Sequence, residues 1–239
     1  MKTFLTAYWR HLVNLTYQVE AERLQPHVPA GLELDFWQGR AHVSLLAFEF
    51  LQTKVKGLKI PFHANFPEIN LRFYVRRHRQ RGVVFLREFV PKYCIALAAN
   101  RLYNESYGVA PMRCETRLFD DRLHLRHLLV KNNENFNIDI QTEIISFVPA
   151  EASIEHHFKE HALGFGRTRA GNTLYYRVEH PVWEIFPVKE YHLHLDFGKL
   201  YGEAWAFLNG QQPICVLVAK GSAIKVYHPQ KLENLDHES

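Results

Sequence analysis

The chain has 239 residues, of which 47% are apolar, 13% aromatic and 23% charged, a globular balance that excludes a disordered or fibrous polypeptide. A formal net charge of +4 names no partner by itself. The three cysteines, Cys94, Cys114 and Cys215, are widely spaced with no Cys-x-x-Cys, which argues against a disulfide framework or a zinc site and fits reduced thiols in a cytoplasm.

Met1 to Leu15 does not read as a signal peptide, because Lys2 is followed by only a few apolar residues before Arg10 and His11. Glu20 to Pro26 reads as a short helix closed by the Val28-Pro29-Ala30-Gly31 turn. Leu32–Phe36 and Arg40–Phe50 read as strands around Trp37-Gln38-Gly39, and Ile69–Arg77 with Gly82–Val90 as a hairpin. Lys92–Tyr103 is helical, with Ile95, Ala98, Ala99 and Leu102 on one stripe. Strands follow at Met112–Phe119, Leu123–Val130 and Phe136–Phe147. Ser153 is a good N-cap for a helix from Ile154 to Ala162 that Gly164 ends. Gly164-Phe165-Gly166 reads as a turn, and Thr173–Val178 and Val182–Val188 as strands. Phe197–Leu208 reads as a helix stopped at Asn209-Gly210, and Ile214–Ala219 with Ala223–Tyr227 as a final hairpin-like pair. The polar tail from Gln230 to Ser239 has the composition of a disordered end.

No repeat, linker or low-complexity block interrupts this pattern, so residues 1–239 form a single domain. No apolar run approaches the ~20 residues of a membrane span. Many strands with few helices argue for a mainly β (α+β) chain whose antiparallel sheet closes or wraps, which also removes exposed strand edges.

The most informative strand is Asn65 to Val75. Ile69, Leu71, Phe73 and Val75 share one face; Glu68, Asn70, Arg72 and Tyr74 share the other. Taken alone, the polar face reads as one in water. The competing reading is a lumen where a carboxylate, an amide and a guanidinium converge on a small ligand.

Several segments, in order, resemble the YqjF-like family of uncharacterised proteins, within the acetoacetate decarboxylase-like superfamily. They are Trp9-Arg10-His11-Leu12; Pro29-Ala30-Gly31-Leu32; Gly39-Arg40-Ala41; Pro67 to Arg76 running on to Gly82–Leu86; Ala98-Ala99-Asn100-Arg101-Leu102-Tyr103; and His180-Pro181-Val182-Trp183. The resemblance covers nearly the whole chain. It implies a cone-shaped antiparallel β-barrel with a few flanking helices and a pocket inside the cone, with Glu68 as counterpart of a pocket-lining glutamate. Asn100-Arg101-Leu102 resembles a Gly-Arg-Glu segment of the decarboxylases. Gly108 to Arg113 resembles their Gly-Phe-Pro-Lys-Lys segment, which carries the Schiff-base lysine. Met112 and Arg113 stand where the paired lysines would stand. Imine chemistry needs an amine of lowered pKa; arginine stays protonated and methionine has no amine. The expectation is therefore a pocket without a lysine imine, in which Glu68 accepts a proton or hydrogen bond and Asn70 orients the ligand. Arg72 or Arg101 pairs with a carboxylate or enolate oxygen, and Met112 and Arg113 complete the ligand-binding set. Lys92, opening a helix, and Lys220, at a Lys-Gly turn, read as surface residues.

Fifteen histidines offer groups that titrate near neutrality. His192, His194 and Asp196 alternate on one strand face, which suits a metal but reads better as a solvated face; His157 and His161 are i, i+4 on a helix and could clasp a metal, though the segment is not His-Glu-x-x-His; no metal and no cofactor is read. Arg76-Arg77-His78-Arg79-Gln80-Arg81 reads as a solvated hairpin tip, with nucleic-acid association as the weaker alternative. The expected partner is a small-molecule carboxylate, with no membrane; a homo-oligomer is compatible with the sequence. An acid–base enzyme and a non-catalytic binding or sensing barrel both remain open, since a fold does not fix a function.

Overall fold

The computed structural model describes residues 2–102, 106–168 and 170–237, with the side chains at 98–99, 101–102, 234 and 236–237 outside that description. In chain order the strands are β1 (Thr3–Val19), β2 (Glu33–Leu34), β3 (Ala41–Val55), β4 (Leu58–Lys59), β5 (Phe66–Arg77), β6 (Gln80–Val90), β7 (Tyr107–Val109), β8 (Met112–Phe119), β9 (Arg122–Lys131), β10 (Glu134–Glu143), β11 (Leu163–Arg167), β12 (Thr173–Glu179), β13 (Ile185–Phe186), β14 (Val188–His194), β15 (Cys215–Tyr227) and β16 (Gln230–Lys231). The helices are α1 (Ala21–Leu24), α2 (Tyr93–Leu102), α3 (Ile154–Lys159) and α4 (Phe197–Tyr201), with 3-10 turns at Gln25–His27, Glu203–Leu208 and Leu232–His237. None of the described helices is long and apolar enough to cross a membrane.

The large sheet runs β15, β1, β3, β5, β6, β11, β12, and β12 pairs back to β15. It is a curled sheet whose hydrogen-bonded path closes into a ring. Closure rests on a short seam, Val178 opposite Val226 and Glu179 opposite Lys225. A second sheet, β14-β10-β9-β8, packs on the outside. The strands of the ring therefore have cover on both faces and carry apolar residues on both. In β3, Val43, Leu45 and Ala47 join an outer core with Leu125, Leu129, Phe136 and Ile138 of the second sheet and Phe197 of α4. The intervening Leu46, Phe48 and Phe50 join an inner cluster with Leu12, Tyr74 and Trp183.

Several local expectations change for identifiable reasons. β1, seventeen residues long, carries no period-two signal because both of its faces are covered in its second half. Gly164 does not end a helix, and Gly164-Phe165-Gly166 is not a turn; both belong to β11, where a Cβ on Gly164 would lie 2.3 Å from Cζ of Tyr176. The aromatic ring lies across the glycine, the usual reason for glycine inside a strand. The helix at α3 stops at Lys159, though Ser153 caps it as expected, its hydroxyl accepting from the His156 N–H at 3.1 Å. The expected Phe197–Leu208 helix is broken by Gly202, whose φ is +105°. β10 ends at Glu143, and only Ile185–Phe186 of the expected Val182–Val188 strand is paired before β14 begins. The tail is not loose over its first residues: β16 pairs with β12, and Leu232 and Leu235 are buried.

The final hairpin-like pair is one continuous strand. β15 runs straight through Lys220 and Gly221 alongside β1, with Gly221 opposite Arg10. Gly221 has φ +82°, and a Cβ there would stand 2.0 Å from the Trp9 carbonyl oxygen. Gly57 has a similar φ of +81° but open space around it. Gly221→Ala should therefore cost about 2 kcal/mol more than Gly57→Ala, which bears only the ~1–2 kcal/mol of a left-handed backbone. Urea denaturation of the two variants measures the difference, and equal midpoints would contradict the close β1–β15 approach.

Candidate functional site

A cavity of about 260 Å³ lies inside the ring, and every one of its seven strands contributes to the wall. The polar alternates of β5 face into it: Glu68, Asn70 and Arg72 all line the cavity. They are joined by Glu88 of β6, Tyr107 of β7, and Lys159 and His161 at the end of α3. The sheet register brings three of these into a row, since Asn70 is opposite Glu88 and Glu88 is opposite Tyr107. Elsewhere the wall is largely aromatic and aliphatic. Trp9 meets Phe48 and Phe50 edge-on at 5.1 and 5.6 Å, and Phe50 stacks on Phe66 at 4.7 Å.

Two carboxyls share the floor of the polar side. Glu68 Oε1 accepts from Asn70 Nδ2 at 2.9 Å and Oε2 from the Tyr107 hydroxyl at 3.3 Å, and the Glu88 carboxyl is a further hydrogen-bonding partner. Both glutamates are buried, at 3% and 1% exposure. Burial pushes the Glu68 carboxyl up to about 7, against the opposing pull of Asn70, Tyr107, Glu88 and the Arg72 charge. Two neighbouring carboxyls away from water are costly to ionise together.

Arg72 supplies the fixed positive charge. Its Nη2 donates to the Phe158 carbonyl at 3.4 Å, its guanidinium carbon lies 5.9 Å from the Tyr74 ring centroid, and its buried Nε–H has no partner. Burial lowers its pKa, yet a guanidinium still stays charged. His161 packs on the same Tyr74 ring at 4.9 Å, and neither of its ring nitrogens has a partner. Burial first, then the Arg72 and Arg81 charges, hold its pKa well below the usual histidine value, so it is neutral. Lys159 is ion-paired with Glu160, its side chain 1% exposed. Glu160 in turn accepts from the Trp183 N–H at 3.2 Å.

Other sequence candidates stand apart from this wall. Met112 packs against the outer core on β8, and Arg113 is exposed; neither lines the cavity. The strand that carries them belongs to the second sheet, outside the ring. The side chain of Arg101 lies outside the described residues. Lys220 is in a strand, not a turn, and its exposed amine pairs with Glu184 at 2.9 Å. His157 and His161 diverge: His157 packs on Trp37 at 4.4 Å with the rings tilted by 49° and accepts at Nε2 from Arg81 at 2.7 Å, while His161 turns to the cavity. His192 pairs with Glu190 at 2.9 Å, whereas Asp196 caps α4 by accepting from the Lys199 N–H at 3.0 Å. Among the described residues, no three His, Cys, Asp or Glu side chains converge. At the basic hairpin tip, Arg81 pairs with buried Asp35 at 2.6 Å and Arg76 with Glu33 at 3.2 Å. Some of the histidines are moved away from neutrality by their surroundings. Burial lowers His11, His42 and His127 to about 4, and burial with the Arg81 charge lowers His157 to about 3.

Glu88, Tyr107, Lys159 and His161 were not singled out as cavity residues from sequence. Glu88 is hidden by a bulge: Leu71 pairs with Arg87 but Arg72 with Phe85, so Leu86 is an extra residue that reverses the in–out phase of β6. Lys159 and His161 are two apart around the extended Glu160, a period-two signal masked by reading the segment as helix. The raised Glu68 makes a pH prediction. Its folded pKa lies above the unfolded value, so its contribution to stability is complete below about 4.5 and is lost as pH rises to about 7. Glu68→Gln should remove that loss, on the order of 3 kcal/mol at most. Denaturation midpoints of the two proteins from pH 5 to 8 test it, and parallel profiles would show Glu68 to be ionised throughout.

The chain and its fold have recognisable relatives. Residues 6–223 match the model of DUF2071, a family described as an uncharacterized conserved protein. The uncharacterized protein YqjF of Bacillus subtilis (strain 168) is 31% identical over 108 residues, a match spanning 45% of each chain. An acetoacetate decarboxylase-like enzyme from Sphingomonas wittichii RW1 superposes with a TM-score of 0.68 at 12% identity, covering 97% of this chain and 94% of that one. The enduracididine biosynthesis enzyme MppR complexed with pyruvate gives 0.67 at 11%, covering 97% and 91%. The acetoacetate decarboxylase of Legionella pneumophila gives 0.65 at 10%, covering 97% and 88%. At such identities these structures establish the fold alone: the chain belongs to the uncharacterized DUF2071 family and has the acetoacetate decarboxylase-like fold.

Proposed function

We propose that the cavity binds a small carboxylate or keto acid and carries out acid–base chemistry on it without a covalent intermediate. The observation that carries this reading is the convergence of Glu68, Asn70 and Arg72 on one wall of the cavity inside the ring, with the Glu68 carboxyl raised to about 7. A carboxyl poised near neutrality is suited to take and return a proton at working pH. Arg72, with its free Nε–H, pairs with the ligand carboxylate or with the developing enolate oxygen. Glu68 removes the proton next to the carbonyl, leaving an enolate at Arg72; the same proton then returns, or is delivered elsewhere on the ligand. Tyr107 and Glu88 hold the Glu68 carboxyl in place and share its proton. The fold neighbour described with bound pyruvate lends support from the same architecture.

Covalent catalysis fits less well. Met112 and Arg113 bring no amine, and the amine of Lys159, though on the wall, is engaged by Glu160. An amine held in an ion pair is not free to attack a carbonyl.

The test is exchange of the methyl protons of pyruvate for deuterium in D2O, followed by NMR, alongside a thermal-shift titration. The wild type should bind and exchange. Glu68→Gln should bind but lose exchange by about 100-fold or more, and Arg72→Met should lose binding first. Binding with no exchange above the buffer rate, across small 2-oxo acids, would leave a non-catalytic binding barrel. An adduct at Lys159 after borohydride treatment would overturn the non-covalent mechanism.

A further inference from the structure

We infer that the ligand is an amphipathic monocarboxylic acid, with an apolar body of about six carbons, that inserts its tail against the β1–β15–β12 side of the ring. This rests on the reading of the polar wall as a carboxylate site and narrows it.

The polar groups are not spread round the cavity. They sit on β5, on β6 and β7 beside it, and at the end of α3 where His161 packs on Tyr74 of β5. In the ring order, β15 and β12 lie three strands from β5, and β1 and β15 three strands from β6. The wall on that far side is made by Leu5, Trp9, Leu12, Val178, Trp183 and Val226. Polar groups on this side are few: Tyr176 of β12, whose phenol lies near enough to act on Arg72, and Trp9 Nε1, buried with no partner, with Thr53 Oγ1 of β3 in the same condition. A ligand made only of polar groups would satisfy one wall and leave the other facing a void, and apolar walls facing a void forfeit their dispersion contacts.

Volume sets the size of the tail. At ~30 Å³ per water-sized group, a cavity of about 260 Å³ holds about nine non-hydrogen atoms. A carboxylate takes three, leaving about six for the body. The entrance has matching character. Ile60 and Cys94 are exposed yet line the cavity, so it opens between the segment after β4 and the start of α2. Leu58, Phe62 and Tyr93, close along the chain to those lining residues, are 73%, 90% and 69% exposed. Exposed apolar side chains around a pocket mark a surface that an apolar ligand crosses.

The experiment is isothermal titration of the full-length protein with straight-chain monocarboxylates from propionate to decanoate, at one pH and salt. Affinity should rise about fourfold per methylene, the ~0.8 kcal/mol of a buried CH2, and stop rising at a total length of about seven carbons, six in the body and one in the carboxylate. Val226→Phe, which fills the far wall, should shorten that optimum by two or three carbons while leaving the short acids unchanged. Affinity that is flat or falls from propionate onward would overturn the amphipathic ligand and leave the carboxylate reading intact. Octanamide binding as tightly as octanoate would do the reverse, removing the carboxylate anchor while keeping the apolar tail. In the wild type, the octanoate-to-octanamide ratio should exceed tenfold and collapse in Arg72→Met.

Discussion

The structure depends on β5 being buried on both faces. Ile69, Leu71, Phe73 and Val75 enter the outer core, and Glu68, Asn70 and Arg72 enter the cavity. Closure of the ring removes the second face from water, and from that point its polar groups must satisfy one another or a ligand. Asn70 and Tyr107 on Glu68, and the Phe158 carbonyl on Arg72, are the partners the protein supplies. On that wall the Nε–H of Arg72, Oδ1 of Asn70 and both nitrogens of His161 are left over. Unsatisfied buried groups are costly, so a cavity wall that carries several of them is a natural place for a polar ligand.

The electrostatics of that wall are arranged by exclusion of water more than by charge count. Desolvation is the largest influence on Glu68, Arg72 and His161 alike. It drives the carboxyl toward its neutral form and fixes the imidazole in its neutral form, while the guanidinium has no accessible neutral form. One immobile cation thus faces one mobile proton. Lys159 would add a second cation were it not matched by Glu160. The same Glu160 touches the Trp183 backbone, so neutralising the lysine also ties α3 to the segment that closes the apolar end.

Much of this is written in the sequence, but unevenly. The alternation from Ile69 to Val75 gives β5 and the composition of both its faces; it does not tell a lumen from a solvated surface, because that depends on ring closure by residues more than a hundred positions away. Family resemblance supplied the lumen. It also pointed to Met112 and Arg113, which an equivalent stretch of chain carries into the second sheet. Glu88 was hidden by the one-residue bulge at Leu86, and β11 by glycines that look like a turn until the Tyr176 ring is placed above them. β1 was hidden by being covered on both sides, which removes the contrast that periodicity needs. In each case the missing information is tertiary: a partner strand, a ring or a register that no local window contains.

Ring closure also has a consequence for how the chain comes into being. β1 is flanked by β3 on one side and β15 on the other, so its second hydrogen-bonding edge waits for a strand some two hundred residues downstream. Synthesis is vectorial, at ~5–20 residues per second, so that edge stands open for roughly ten seconds or more. An open apolar edge recruits other strands. The last strand of the ring in chain order is thus the one that completes β1, and the window for mispairing spans the synthesis of all the residues between them. Contacts so distant along the chain also place the fold among slow folders. The ring that shelters the cavity in the finished protein is, until its final strand arrives, an unshielded template that nascent-chain chaperones would be expected to cover.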